Sequence, residues 1–227
     1  MRVTNPRRVR IVWFISIAMI VIGLAALLAI HMMKKEPSAT ALFIKQSMVN
    51  SNGTISSYLK EANSTDPNVV AGREALSESV GLWMQYTLLA DDRDDFDNSY
   101  GLLNKYFMSP EHYIRWKLEP DGQSRVNTYA LGDDLRIVNA LLEAYGRWNK
   151  PEYLATAKEV TDTLWTHGLN NGYLVDYHDF QHDTSSNLLS LTYIDTLAFE
   201  RMKQYGLISD ELYERHLQLL RTIPNDG

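Results

Sequence analysis

Cysteine is absent from all 227 residues of the sequence. The chain can therefore form neither a disulfide framework nor a thiolate metal site. It also lacks G-x-S-x-G, a P-loop, and a G-x-G-x-x-G after a predicted strand. Interpretations as a serine esterase, a nucleotide hydrolase or a Rossmann dehydrogenase consequently have no support.

Basic residues are scarce beyond the N-terminus. Residues 1–35 carry six of the 22 Lys and Arg residues and none of the 28 Asp and Glu residues. The remaining chain therefore has 16 basic residues against 28 acidic ones, a net charge of −12. Because nucleic-acid binding needs clustered Lys and Arg, this composition predicts no nucleic-acid partner.

The stretch 11–33 contains no charged residue. At about 1.5 Å per residue, a helix of this length crosses a hydrocarbon core of about 30 Å. The stretch is too long for a signal peptide, and it lacks the polar face of a buried helix. Four arginines precede it and two lysines follow. We therefore predict a cytoplasmic segment at 1–10, a transmembrane anchor at 11–33 and an extracytoplasmic domain at 34–227.

Helical patterns dominate the domain. Apolar residues at three- and four-residue spacing, such as Leu135, Val138 and Leu142, predict helices at 39–48, 70–90, 93–107, 134–149, 152–167, 188–205 and 210–222. Extended stretches at 112–117 and 124–129 flank a turn at 119–122 and predict a hairpin, and 172–177 is a further extended stretch. Paired helices with short β excursions predict an all-α toroid or solenoid. The absence of a fixed repeat period argues against a TPR-like array.

Glu78 begins an apolar helix, between two serines and ahead of Trp83, Met84 and Tyr86. A carboxyl held among apolar and aromatic groups has a raised pKa, which suits a general acid at neutral pH. Alternatively, Glu78 is a first-turn glutamate that offsets the helix dipole, and spacing alone favours this alternative.

Asp133 and Asp134 precede a second apolar helix. One of them is expected to cap it, which leaves the other free to point into a cleft. Trp116 is a candidate for stacking on a pyranose ring, or equally a core or sheet-face residue. Carboxylate clusters separated by aromatic rings are what a sugar-cleaving cleft requires.

The segment 176–183 carries residue types that bind hard metals or zinc, namely Asp176, His178, Asp179, His182 and Asp183. It lacks the helical apolar pattern that would place both histidines on one face. We therefore predict a polar loop that lines the cleft, with neither a metal nor a cofactor.

The segment 130–144, Ala-Leu-Gly-Asp-Asp-Leu-Arg-Ile-Val-Asn-Ala-Leu-Leu-Glu-Ala with Trp148 four residues on, resembles the signature of glycoside hydrolase family 8. The stretch 77–84, Ser-Glu-Ser-Val-Gly-Leu-Trp-Met, is similar to the family's proton-donor motif. Trp116-Lys117 and the segment 187–195 resemble a membrane-anchored branch associated with exopolysaccharide production and biofilm turnover. The similarity runs from residue 71 to residue 227.

The resemblance implies an (α/α)6 barrel and an inverting mechanism on β-1,4-linked glycans, with two carboxyls about 6.5–9.5 Å apart. Glu78 matches the acid, and Asp134 matches the second signature aspartate. Gly132 stands in the place of the first, so that either Asp133 substitutes for it or sugar positioning there has changed. The residues expected to bind substrate are Trp83, Trp116, Tyr129, Arg136, Asp183 and Tyr193.

The family's general base comes from a later helix that has no counterpart here, and six helix pairs need a longer chain. We therefore expect the C-terminal third of such an enzyme to be missing. The predicted function is a membrane-anchored glycosidase acting on an exopolysaccharide, with polysaccharide synthesis or export proteins as partners. A catalytically incomplete glycan-binding or assembly component is the first alternative. A helical protein-interaction scaffold is the second.

Overall fold

The computed structural model describes Trp13, residues 19–23 and residues 38–222. The chain divides into two compact units, residues 1–42 and residues 43–227. The predicted cytoplasmic segment and most of the predicted anchor at 11–33 lie outside the described residues. Within the described ranges, no helix combines the length and apolar character needed to cross a bilayer.

Helices make up most of the chain from residue 39 onward. They are α1 (Ala39–Phe43, continued by a π-helical turn at Ile44–Met48), α2 (Ser77–Ala90), α3 (Arg93–Leu102, continued by a π-helical turn at Leu103–Phe107), α4 (Leu131–Trp148), α5 (Pro151–His167), α6 (Thr196–Gln204) and α7 (Asp210–Thr222). A 3-10 turn at Leu191–Tyr193 precedes α6.

Three helices, α2, α4 and α6, lie side by side and run in the same direction. Ser77 at the start of α2 contacts Asp133 at the start of α4, and Leu88 near the end of α2 accepts a hydrogen bond from Arg147 near the end of α4. Further along the row, Arg201 of α6 pairs with Glu143 of α4. The starts of these helices therefore meet at one end of the domain.

Each helix of this row packs against the helix that follows it in sequence, so that α2 pairs with α3, α4 with α5 and α6 with α7. The close approach of α2 to α4 depends on Gly81. A Cβ at this position would lie 3.2 Å from both Cδ of Arg136 and Cγ1 of Ile137. The result is three helical hairpins, the repeating element of an (α/α)6 fold.

Helix α4 supplies the centre of the core. Leu135, Ile137, Val138, Leu141 and Leu142 are all fully buried, because the helix has neighbours on both sides and the α5 helix behind it. Burial of an aliphatic side chain of this size contributes about 1.5–3 kcal/mol. The apolar spacing seen in the sequence is thus confirmed as the packing face of the helix.

In the described part of the chain, three short antiparallel sheets accompany the helices. β1 (Ala75–Leu76) pairs with β2 (Lys117–Leu118), β3 (Leu169–Asn170) with β4 (Tyr173–Leu174), and β5 (His178–Asp179) with β6 (Thr184–Ser185). The predicted turn at 119–122 is present, since Gly122 donates to the carbonyl of Glu119. Backbone hydrogen bonds join the two predicted arms around this turn, from Glu119 to the carbonyl of Gln123 at 2.7 Å and from Trp116 to the carbonyl of Thr128 at 3.3 Å. The predicted hairpin is therefore present in part, since the regular strand pairing of β2 is with β1.

Two predicted helix starts are wrong. The chain bends at Gly72 and Arg73 and enters β1 before Ser77, and the carboxylate of Glu74 accepts the backbone N–H groups of Ala71 and Gly72. Helix α6 begins at Thr196 and not near 188, because the side chain of Asp195 caps it. In both places side-chain hydrogen bonds hold the backbone outside the helix.

Candidate functional site

Side-chain hydrogen bonds join the first turns of α2 and α4. The hydroxyl of Ser77 donates to Oδ2 of Asp133 at 2.7 Å, and Nη1 of Arg136 donates to Oδ1 of Asp133 at 3.1 Å. Arg136 in turn lines an open cleft of about 400 Å³ with Gly132, Thr192, Tyr193 and Asp195. The cleft therefore lies at the starts of α4 and α6, beside the start of α2.

Asp133 occupies a mixed electrostatic environment. Its side chain is only 17% exposed, and burial raises its pKa above the ordinary value. The hydrogen bond from Ser77 and the charge of Arg136 lower the pKa in part, while the negative charge of Glu78 raises it. Glu78 and Asp133 lie in the first turns of α2 and α4, which the bond between Ser77 and Asp133 joins.

Glu78 lies in the first turn of α2 with its side chain exposed. The expected enclosure by apolar and aromatic groups is wrong. Trp83 and Met84 lie about 120–140° around the helix from Glu78, at 100° per residue, so they face other neighbours. The position near the helix start still agrees with both original interpretations, a general acid and a partner of the helix dipole.

Asp134 is fully buried, and neither of its side-chain oxygens has a hydrogen-bond partner within the described part of the chain. Burial raises its pKa well above the ordinary value, and the charge of Asp133 adds to this effect. An enclosed carboxyl cannot touch a sugar. Asp134 is accordingly not among the residues that line the cleft.

Tyr129 and Trp116 differ in how close they come to the cleft. Tyr129 is 1% exposed, its hydroxyl donates to the carbonyl of Val175, and burial raises its pKa, so its ring belongs to the core. Trp116 is half-buried, and its backbone carbonyl accepts the N–H of Ser77 at 3.0 Å. Of the two, Trp116 is the one placed beside Glu78.

Trp83 lies apart from the carboxyls. It stacks on Tyr86, with ring centroids 4.9 Å apart. It lines a separate, largely apolar pocket of about 140 Å³ together with Val80 and Leu102. The structure thus does not bring Trp83 together with Arg136 and Tyr193.

The acidic and histidine-rich segment forms the β5–β6 hairpin. Nδ1 of His178 bonds to Oγ of Ser185 at 2.9 Å, and Asp179 accepts from His182 at 2.7 Å. Asp183 is 94% exposed and lies 3.6 Å from Nε2 of His178, and it is not among the residues that line the cleft. Among residues 13, 19–23 and 38–222, no three His, Asp or Glu side chains are grouped to hold a metal.

Of the predicted substrate-binding residues, Arg136 and Tyr193 line the cleft. Thr192 and Asp195 also line it and were not predicted. Asp195 caps α6 by accepting the N–H groups of Leu197 and Ala198 at 3.0 Å. An acid immediately before a helical pattern is a typical cap signal, but the apolar residues upstream extended the predicted helix across it.

No protein-family model matches the chain. A curated relative, "Putative lipoprotein YdaJ" of Bacillus subtilis (strain 168), is 32% identical over 182 residues, which are 80% of this chain and 46% of YdaJ. A solved structure named as a novel alpha-amylase from Clostridium perfringens has a TM-score of 0.68 and 29% identity, over 82% of this chain and 52% of the amylase. The chain thus spans about half the length of these two proteins.

Family 8 glycosidases are also structural neighbours. An endo-beta-1,4-glucanase of that family, from an Achatina fulica gut metagenomic library, has a TM-score of 0.61 and 17% identity, over 81% of this chain and 57% of the glucanase. Another endoglucanase and a xylanase of family 8 have the same fold. The helical hairpins with small antiparallel sheets are therefore a family 8-like (α/α)6 architecture, as predicted.

Proposed function

We propose that this chain carries the acid-bearing part of a glycoside hydrolase that cleaves a polysaccharide by an inverting acid/base mechanism. The observation that carries the proposal is the bond between Ser77 and Asp133, which sets Glu78 and Asp133 on adjoining first turns beside a cleft. Exposed in that position, Glu78 protonates the leaving glycosidic oxygen.

Asp133 has a supporting role in this mechanism. Ser77 and Arg136 each engage one of its carboxylate oxygens, and these bonds fix its orientation towards a sugar hydroxyl or the attacking water. An inverting enzyme needs a water between its acid and its base, and an open cleft of about 400 Å³ leaves room for one.

For the substrate, we propose a β-linked exopolysaccharide, with β-1,4 linkage, made or turned over during polysaccharide production or in a biofilm. The family 8 endo-beta-1,4-glucanase supports the linkage, and the amylase from Clostridium perfringens makes an α-glucan the rival. Membrane attachment through residues 11–33, with the domain outside the cytoplasm, belongs to the same proposal. The name of YdaJ supports membrane association in general terms.

A second candidate is a glycan-binding or assembly component that works with polysaccharide synthesis or export proteins. Two observations favour it. Both oxygens of Asp133 are engaged, and Oδ1 of Asp195 already caps α6, so both carboxylates are already committed to other contacts. The chain also spans only about half of its relatives.

The experiment that separates these candidates measures reducing-end release by the full chain from β-1,4-glucan, xylan, starch and bacterial exopolysaccharide. Proton NMR then records the anomeric form of the first product. The hydrolase predicts release from a β-linked polymer with inversion of configuration. Binding without release supports the assembly component, and release from starch alone would replace the β-linked substrate with an α-glucan.

A further inference from the structure

The ring of Tyr193 lies directly against the backbone of Gly132. A Cβ at position 132 would be 2.6 Å from Cδ1 of Tyr193 and 3.1 Å from both Cε1 and Cγ. Real Cβ atoms essentially never approach to 2.6 Å, so any residue other than glycine displaces the ring. The absence of a side chain at position 132 is thus what allows Tyr193 to lie where it does.

Hydrogen bonds to Asp176 hold both the backbone beside Gly132 and the turn that carries Tyr193. The carboxylate of Asp176 accepts the N–H of Ser190 at 2.6 Å and the hydroxyl of Ser190 at 2.7 Å. Tyr193 donates its own N–H to the carbonyl of Ser190 at 2.9 Å, which closes the 3-10 turn. The carbonyl of Asp176 accepts the N–H of Leu131, next to Gly132, also at 2.9 Å. Asp176 therefore ties the turn before α6 to the start of α4.

The surroundings of the ring indicate a sugar-binding function. Tyr193 is 37% exposed and shares the cleft with Arg136, Thr192 and Asp195. An aromatic face lined by hydroxyl, carboxylate and guanidinium groups offers stacking for the C–H face of a pyranose and hydrogen bonds for its hydroxyls. A core tyrosine would need no such exposed polar neighbours.

We infer that Gly132, Tyr193 and Asp176 form one specificity-determining unit, in which the missing side chain at position 132 makes room for an aromatic platform in the cleft. Tyr193 contacts the glycan, and Gly132 and Asp176 are positioning residues. The unit selects a polysaccharide whose sugar presents an apolar pyranose face at this point of the cleft. This inference rests on the proposed function for its ligand, and its geometry is tested separately.

The test is a double-mutant cycle on glycan binding. Each variant is made in the full chain carrying Glu78→Gln, so that turnover does not interfere, and is titrated with hexasaccharides of β-1,4-glucose, β-1,4-xylose and α-1,4-glucose. Tyr193→Ala should weaken binding of the preferred hexasaccharide by about tenfold. Gly132→Ala should weaken it to a similar degree, and combining the two should add little, because both remove the same platform.

Two controls match the variants. Gly101→Ala alters a helical glycine with nothing within 4 Å of its added Cβ, and Tyr177→Ala removes another exposed tyrosine that does not line the cleft. Both should leave binding unchanged. The inference would be overturned if the affinity losses of Gly132→Ala and Tyr193→Ala multiply in the double variant. It would also be overturned if Gly132→Ala binds the hexasaccharide as tightly as its parent. A folded parent that binds none of the hexasaccharides would overturn it as well.

A ligand-free readout checks the positioning role of Asp176. The Hα protons of Gly132 lie next to the ring of Tyr193, so their NMR shifts should report the ring current and should change in Tyr193→Ala. The same change is expected in Asp176→Ala, because its turn loses two hydrogen bonds. Unaltered Gly132 shifts in Asp176→Ala would remove Asp176 from the unit. If binding depends on Gly132 and Tyr193 as expected but the wild type shows no turnover, the inference stands and the hydrolase proposal is rejected.

Discussion

The hydroxyl of Ser77 donates a 2.7 Å hydrogen bond to Oδ2 of Asp133 across the interface between α2 and α4. The two residues are 56 positions apart in sequence. This contact turns two separate acidic motifs into one site, because it holds the first turns of the two helices in register.

Replacing Ser77 with alanine should raise the pKa of Asp133, because the hydroxyl that stabilises the charged carboxylate is lost. The acidic limb of the activity profile should move to higher pH, and the free energy of unfolding should fall by about 1 kcal/mol. Carbon NMR titration of the Asp133 carboxyl and a pH–rate profile measure the two effects. Ser99→Ala, which removes another buried serine hydroxyl, is the matched control. A titration curve identical to that of the wild type would exclude the proposed bond.

Asp134→Asn tests the buried carboxyl. The pKa of Asp134 is raised above its ordinary value of 3.8 in the folded state, so the folded protein holds its proton more tightly than the unfolded chain does. This contribution to stability is present at low pH and is lost as pH rises through the folded pKa. Urea unfolding from pH 4 to pH 8 should show a smaller decline for the variant than for the wild type. Parallel curves would mean that Asp134 stays equally charged in both states.

His216→Gln tests the attachment of α7. Nε2 of His216 accepts the N–H of Leu174 at 3.0 Å and Nδ1 donates to the carbonyl of Leu212 at 2.8 Å, which requires the neutral ring. Burial lowers the pKa of His216 below 6.5, so stability is full above that pH and is lost as pH falls below it.

The melting temperature of the wild type should therefore drop between pH 7.5 and pH 5, and that of His216→Gln should drop less. His178 adds a loss in the same direction, since burial also lowers its pKa, so some pH dependence will remain in the variant. His182→Gln, at an exposed position of the β5–β6 hairpin, serves as the control. Equal slopes for His216→Gln and the wild type would show that His216 titrates alike in both states.

Gly81→Val should disturb the site through packing. The added atoms would press on Arg136 and Ile137, and overpacking of this kind costs typically about 1–3 kcal/mol. Because Arg136 holds Oδ1 of Asp133, activity should fall more than stability accounts for. Gly101→Val is the control, because a Cβ added to this helical glycine has nothing within 4 Å. Full activity at unchanged stability would show that the α2–α4 spacing is not tight.

The helical part of the fold could be predicted from the sequence because the apolar residues of α4 recur at helical spacing on a face that is buried. The pairing of β1 with β2 could not, since it joins Ala75 to Leu118 across more than forty residues and depends on tertiary packing. The start of α6 was missed for a local reason. Apolar residues from 188 to 194 continue the helical pattern, whereas Asp195 diverts the backbone by capping.

The candidate site, too, could be predicted from the sequence only in part. The sequence and its resemblance to family 8 predicted Glu78, Asp133, Arg136 and Tyr193 as site residues, and the structure places all four at one end of the helix row. Sequence patterns could not show which of two adjacent acids is enclosed, and the carboxyl matched to the family signature, Asp134, is the buried one. Periodicity also gave no indication that Trp83 faces a different pocket, because aromatic residues suit either surface.

The central claim is that Glu78 is the general acid of a glycosidase. The most direct measurement is the rate of reducing-end release from the preferred polysaccharide by the full chain, by Glu78→Gln and by Glu152→Gln. Glu152 is likewise an exposed glutamate in the first turn of a helix, α5, and it controls for the loss of a helix-dipole partner. Glu78→Gln should lose about 10²- to 10⁴-fold in rate, while Glu152→Gln keeps the wild-type rate. A Glu78→Gln variant that retains the wild-type rate, or a folded wild-type chain that releases no reducing ends, would contradict the claim.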